Sequence, residues 1–159
     1  MARVGFRGEE DFGYVFVGDP GEYDPVFDDH EPASVDEDDN TVLFIREVHN
    51  DLSDAAKRLG LGAPVIYFVD LSEYSELARY INGTNQNPNM LFYPFANPDY
   101  GEVWLSLLHE LAHAYVESWG LDGQEPDEEE VVEDFAQSYD ADPSFAVAEL
   151  SGWAESRAE

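Results

Sequence analysis

The chain has 159 residues, of which 43% are hydrophobic, and 36 acidic residues face only 7 basic ones, which gives a formal net charge of −29. This length allows one hydrophobic core and excludes several large domains, so we expect a single domain over residues 1–159. The charge excludes direct binding of a nucleic-acid backbone, and the absence of cysteine excludes disulfides and thiolate metal ligands.

The first third of the chain predicts a hairpin, a loop and a helix. Short apolar runs interrupted by glycine indicate a hairpin in residues 1–18. Residues 19–40 are rich in Asp, Glu and Pro and predict an irregular acidic loop. Apolar residues then recur every three to four positions over 41–59, which predicts a helix ending at Gly60. We interpret His30, in the loop, and His49, on the helix, as ordinary surface histidines.

The middle of the chain predicts two strands separated by a short helix. The β-branched and aromatic run PVIYFVDL (64–71) is typical of a strand buried on both faces. The segment SEYSELARYIN (72–82) predicts a short helix. The run MLFYPF (90–95) predicts a second strand, and its proline favours a position at the edge of the sheet.

The next segment predicts a capped helix that carries a narrow polar stripe. Asp99 at the N-cap and Glu102 three residues later form a capping box, and Gly120 ends the helix. On a helical wheel the polar residues fall within an arc of about 100°: Glu102, Ser106, His109, Glu110, His113 and Glu117. The rest of the circumference is almost entirely apolar, so the helix should be buried, with its stripe facing a cleft, a partner or a strip of water.

Two histidines of this stripe have the His-Glu-x-x-His spacing. Side chains at i and i+4 lie one above the other, so His109 and His113 can reach one zinc ion. Glu110 is turned by about a quarter of the circle, beside the metal rather than on it, and can take a proton from a zinc-activated water. The alternative is a partly exposed stripe of mixed polar residues.

A third ligand is expected from the following helix. Hydrolytic zinc usually has three protein ligands and an open position for water, and no histidine follows His113. The helix predicted from 128 to 139, with Asp127 as its cap, places Glu129 at the border of its buried side. Glu133 lies on the same edge and could orient a ligand histidine. We favour Glu129 as the ligand, with Glu128 and Glu130 as alternatives. The last helix starts with Asp142 as cap and Pro143 at its first position.

HELAHA followed by EEEVVEDFA resembles the gluzincin branch of the zincin metallopeptidases, in which a second helix supplies a glutamate ligand. The spacing Glu129-x-x-x-Glu133 is similar to the ligand helix of the anthrax lethal factor group, whereas a thermolysin-like pattern would pair Glu130 with Asp134. The resemblance covers residues 90–139, and only fifteen residues separate His113 from Glu129. This connection is short for the group and requires a tight helical hairpin.

The resemblance implies an α+β, zincin-like fold, in which a small mixed sheet with an edge strand packs against the His-Glu-x-x-His helix. Extended substrate would pair with that edge. The implied activity is zinc-dependent hydrolysis of peptide bonds, with Zn²⁺ held by His109, His113 and Glu129 and with Glu110 as general base. No residue is assigned to transition-state stabilisation, and the candidates are Tyr93, Tyr115 and Tyr139. The alternative is a zincin fold kept for binding or structure, in a virion or a regulatory complex, with little or no hydrolysis.

The acidic composition also resembles that of proteins from extreme halophiles, and Lys57 is the only lysine. Molar salt relieves the self-repulsion of such a chain. An acidic partner protein or a nucleic-acid mimic is the alternative. There is no membrane-length apolar run and no signal-peptide core, so we expect a cytoplasmic protein that acts on peptides or proteins and binds neither nucleic acid nor membrane.

Overall fold

The computed structural model describes residues 4–7, 14–17, 40–68, 78–83, 88–92, 99–121 and 127–158. The elements in these ranges are, in chain order, β1 (Val4–Arg7), β2 (Tyr14–Val17), α1 (Asn40–Arg58), β3 (Val65–Phe68), β4 (Ala78–Gly83), β5 (Pro88–Phe92), α2 (Tyr100–Ser118), α3 (Glu128–Ser138) and α4 (Pro143–Ala158). The chain is therefore α+β, as expected. The predicted acidic loop before Asn40, with His30, lies outside the described residues.

The five strands form one mixed sheet in the order β1-β2-β3-β5-β4. β1 and β2 form the predicted antiparallel hairpin, and β2 pairs antiparallel with β3. β3 and β5 run parallel, and β4 pairs antiparallel with β5. All four residues of β3 are buried, which confirms the prediction of a strand covered on both faces.

Two predictions about this sheet are wrong. The segment predicted as a helix over 72–82 contributes β4, whose backbone pairs with β5. The predicted edge strand is also misplaced, because β5 lies between β3 and β4, and β4 is the outermost of the described strands on that side. Pairing with β5 decides the structure of this segment, since strand preference depends on cross-strand neighbours more than on local sequence. Residues 69–77 and 93–95 lie outside the described ranges.

α1 packs an apolar face into the core and carries a buried histidine. Ile45, Val48 and Leu52 on this face are fully buried, and the helix is followed by Gly60, whose φ of 77° suits glycine. His49 is 4% exposed, so its interpretation as a surface residue is wrong. Its Nε2–H donates to the carbonyl of Pro64 at 2.7 Å, which ties α1 to the start of β3. Desolvation lowers the pKa of His49, and the bond to Pro64 opposes this shift in part.

α2 is the central helix, and its ends follow the prediction. Asp99 Oδ1 accepts a hydrogen bond from the Glu102 N–H at 2.8 Å, and Gly120 follows the helix with a φ of 84°. Most of its apolar residues are buried, but Leu105 is 40% exposed, so the stripe that faces outward is wider than its polar residues alone. None of the helices in the described ranges has the length and apolarity needed to cross a membrane.

α3 and α4 complete the helical layer. Trp104 of α2 donates its indole N–H to Asp140 just after α3, at 2.9 Å, and its ring meets Tyr139 edge-on. Asp142 caps α4 as predicted, because its Oδ1 accepts from the Phe145 N–H at 3.1 Å. Asp127 does not cap α3 with its side chain, contrary to the prediction. Its carboxylate is engaged by α4 instead.

Candidate metal centre

His109, His113 and Glu129 bring three potential metal ligands together between α2 and α3. The Nε2 atoms of the two histidines lie 3.2 Å apart. Glu129 Oε2 lies 3.1 Å from His109 Nε2, and Glu129 Oε1 lies 2.9 Å from His113 Nε2. Bonds of about 2.0–2.1 Å to a tetrahedral zinc place neighbouring ligand atoms about 3.3 Å apart. The spacing of the three groups therefore fits a single small cation.

The other ring nitrogen of each histidine contacts a second carboxylate. His109 Nδ1 lies 2.9 Å from Glu133 Oε2, and His113 Nδ1 lies 2.7 Å from Glu128 Oε2. A carboxylate can only accept, so both Nδ1 atoms carry the proton and donate it. In the neutral rings, both Nε2 atoms then present lone pairs to each other and to Glu129. A metal cation between these atoms would be a partner for all of these lone pairs.

Glu133 occupies the orienting position that its place on the helix predicts. Its Oε1 accepts from Gln137 Nε2 at 2.8 Å, while its Oε2 accepts from His109. The bond from Gln137 is the largest cause that lowers the pKa of Glu133, and His109 adds to it. Glu133 is therefore ionised at neutral pH and holds the His109 ring through a charge-assisted hydrogen bond.

The contact that Glu128 makes at this site is not predicted by the sequence. Glu128 was considered as an alternative ligand, but it contacts Nδ1 of His113, on the side of the ring away from the ligand triangle. It is only 5% exposed, and its Oε1 has no hydrogen-bond partner within the described part of the chain. A buried carboxylate is costly unless it is paired, so the contact with His113 is the main compensation for burying it.

The remaining candidates have different surroundings. Glu110 is half-buried and does not belong to the ligand group found in the described ranges, as its role as a non-ligand requires. Glu130 is exposed. Of the three tyrosines considered, Tyr115 is buried and its ring meets Trp119. Tyr139 is also buried, and its ring meets those of Trp104 and Phe135. Tyr93 lies outside the described residues.

Together these residues form a site with two imidazoles and one carboxylate at its centre and one further carboxylate behind each imidazole. This donor set suits zinc, which takes nitrogen and oxygen ligands and whose ligand histidines commonly donate their second N–H to a carboxylate. Comparisons with protein-family models, with curated proteins and with solved structures find no match to this chain.

Proposed function

We propose that the chain is a zinc-dependent metallopeptidase whose zinc is held by His109, His113 and Glu129. One observation supports this most strongly: the two Nε2 atoms and the two oxygens of Glu129 converge with contacts of 2.9–3.2 Å, while both Nδ1 atoms are already occupied by carboxylates. Bound there, zinc would act as a Lewis acid that polarises a scissile carbonyl and acidifies a water molecule.

Glu110 is the proposed general base. It follows His109 directly and is turned about 100° around α2, so helix geometry would put its carboxylate beside the ligand triangle rather than within it. In this position the carboxylate would accept a proton from the attacking water and pass it to the leaving amine. Glu110 is half-buried.

The edge of the sheet supplies a binding place for the substrate backbone. Among the strands of the described residues, β4 is the last of the sheet, and it packs beside α2. The outer side of an edge strand presents main-chain N–H and C=O groups, with which an extended peptide can pair. This binding mode uses few side chains and favours an unfolded or extended protein segment as substrate.

The substitution Glu110→Gln tests this proposal, because it removes the base while keeping the shape of the side chain. The expected result is full zinc binding and a loss of hydrolysis of about 10²–10⁴-fold, measured on a quenched fluorescent peptide library in concentrated salt. Glu117→Gln is the matched control, since Glu117 lies two turns further along the same stripe and is exposed. His113→Ala should lose both zinc and hydrolysis.

Zinc-loaded Glu110→Gln protein that cleaves as fast as the parent would refute the role of Glu110. A folded, zinc-replete parent that cleaves no member of the library would refute the peptidase itself and favour a protein kept for binding or structure. Atomic absorption after gel filtration measures the zinc content of each variant.

A further inference from the structure

The carboxylate of Asp127 is held by two side chains of α4. Trp153 Nε1–H donates to Asp127 Oδ2 at 3.0 Å, and Arg157 Nη2–H donates to the same oxygen at 2.8 Å. The Arg157 guanidinium also lies over the Trp153 ring, with its carbon 5.6 Å from the ring centroid. We call these three side chains the α4 clamp.

The α4 clamp holds the residue that immediately precedes two parts of the metal centre. Asp127 is followed by Glu128, which contacts His113, and by Glu129, which contacts both histidines. An aspartate before a helix normally uses its carboxylate to cap the helix. Here that capping bond is absent and the carboxylate binds α4 instead. The residue at the start of α3 is thus held by α4 and not by a capping bond within α3.

Glu129 depends on such a restraint. Its side chain is 76% exposed, so packing holds little of it in place. Its position against the imidazoles is set by the backbone of the first turn of α3. α4 is a firm support for that turn, because Leu150 and Ala154 on either side of Trp153 are buried in the core. The α4 clamp is partly exposed, and an exposed ion pair adds little to the free energy of unfolding. Its main effect should therefore be on the position of the first turn of α3.

We infer that Trp153 and Arg157 are positioning residues for the metal centre, which hold Asp127 so that Glu128 and Glu129 reach the two histidines. This inference rests on the proposed binding of zinc by His109, His113 and Glu129. It adds α4 to α2 and α3 as a helix on which the metal centre depends.

The test compares zinc affinity with the stability of the metal-free protein. Trp153→Phe keeps the aromatic ring and removes the donor, and Arg157→Gln removes the charge. Lys57→Gln, an exposed residue on α1, is the control for losing one positive charge. Zinc affinity is measured by competition with a chromophoric chelator, and stability by denaturant unfolding in excess chelator. The visible spectrum of the Co²⁺-substituted protein reports the ligand geometry separately.

We expect the double variant Trp153→Phe, Arg157→Gln to bind zinc at least 10-fold more weakly and to show an altered Co²⁺ spectrum. Its metal-free unfolding midpoint should stay at that of Lys57→Gln. Arg157→Lys keeps the positive charge, so it should lose less zinc affinity than Arg157→Gln. Unchanged zinc affinity in the double variant overturns the positioning role alone, and so does a loss of affinity matched by a loss of metal-free stability. A parent protein that binds no zinc overturns the proposed metal centre together with this inference.

Discussion

At the scale of single residues, each histidine of the centre divides its two ring nitrogens between two partners. Nδ1 donates to Glu133 or Glu128, and Nε2 faces the ligand triangle. The carboxylate fixes the tautomer and the ring plane, and its charge makes the opposite nitrogen a better ligand. The two carboxylates differ in their surroundings, because Glu133 is half-exposed while Glu128 is buried.

Glu128→Gln tests how much the buried carboxylate contributes. The amide can still accept a hydrogen bond from His113 but carries no charge, so zinc affinity should fall about 10–100-fold. Glu130→Gln is the control, since it makes the same charge change in the same turn at an exposed position. Chelator competition at constant salt compares the two variants, and equal affinities would contradict the role given to Glu128.

The position of Glu128 could have been predicted from the sequence. Glu128, Val132 and Phe135 are spaced i, i+4, i+7 and are all buried on one face of α3. The buried face of α3 therefore begins at Glu128, one turn before Val132. Glu129 and Glu133, which the helical wheel puts at the border of the same face, both contact the histidines.

At the scale of elements, α2 and α3 run antiparallel in a fixed register. His113 meets Glu128 near one end, His109 meets Glu133 one turn further, and Trp104 meets Asp140 at the other end. Residues nearer the N-terminus of α2 contact residues nearer the C-terminus of α3, as in an antiparallel helical hairpin. The short connection noted in the sequence is compatible with this register.

The junction of α1 and β3 predicts a dependence of stability on pH. Burial lowers the pKa of His49, so between its ordinary value and its folded value the unfolded chain binds a proton that the folded chain does not. The free energy of unfolding should therefore decrease as pH falls below about 6.5, and the loss should stop at the folded pKa. Denaturant unfolding at several pH values, in excess chelator, measures this change.

His49→Gln is the comparison that isolates this histidine. Glutamine can still donate to the Pro64 carbonyl but does not titrate, so the variant should lose less stability between about pH 7.5 and pH 5.5 than the parent. The acidic surface and the other histidines titrate in both proteins and cancel in the difference. Parallel pH profiles would show that His49 does not contribute.

The helices could be predicted from the sequence, whereas part of the sheet could not. Helix caps and apolar periodicity are local signals, and they located each of the four helices in the described ranges to within a few residues. β4 depends on pairing between residues 78–83 and β5, a contact that a local pattern does not contain. The prediction of an edge strand at residues 90–95 is wrong for the same reason, because the order of strands depends on pairing across the whole sheet.

At the scale of the whole molecule, the net charge of −29 sets the conditions in which the fold is stable. Raising the salt concentration from about 0.1 M to about 1 M shortens the Debye length from about 10 Å to about 3 Å. The repulsion between acidic side chains should decrease accordingly. We expect the thermal unfolding midpoint of the metal-free protein to rise steadily over this range. A midpoint that stays constant or falls would contradict a surface adapted to concentrated salt.

The proposed activity depends most on the convergence of His109, His113 and Glu129 on one metal ion. Anomalous X-ray diffraction from crystals grown with zinc, recorded just above and just below the zinc absorption edge, tests it directly. We predict a single peak, present only above the edge, at about 2.0–2.2 Å from both Nε2 atoms and from a Glu129 oxygen. A zinc peak bound by other residues, or no peak beside these histidines, would contradict it.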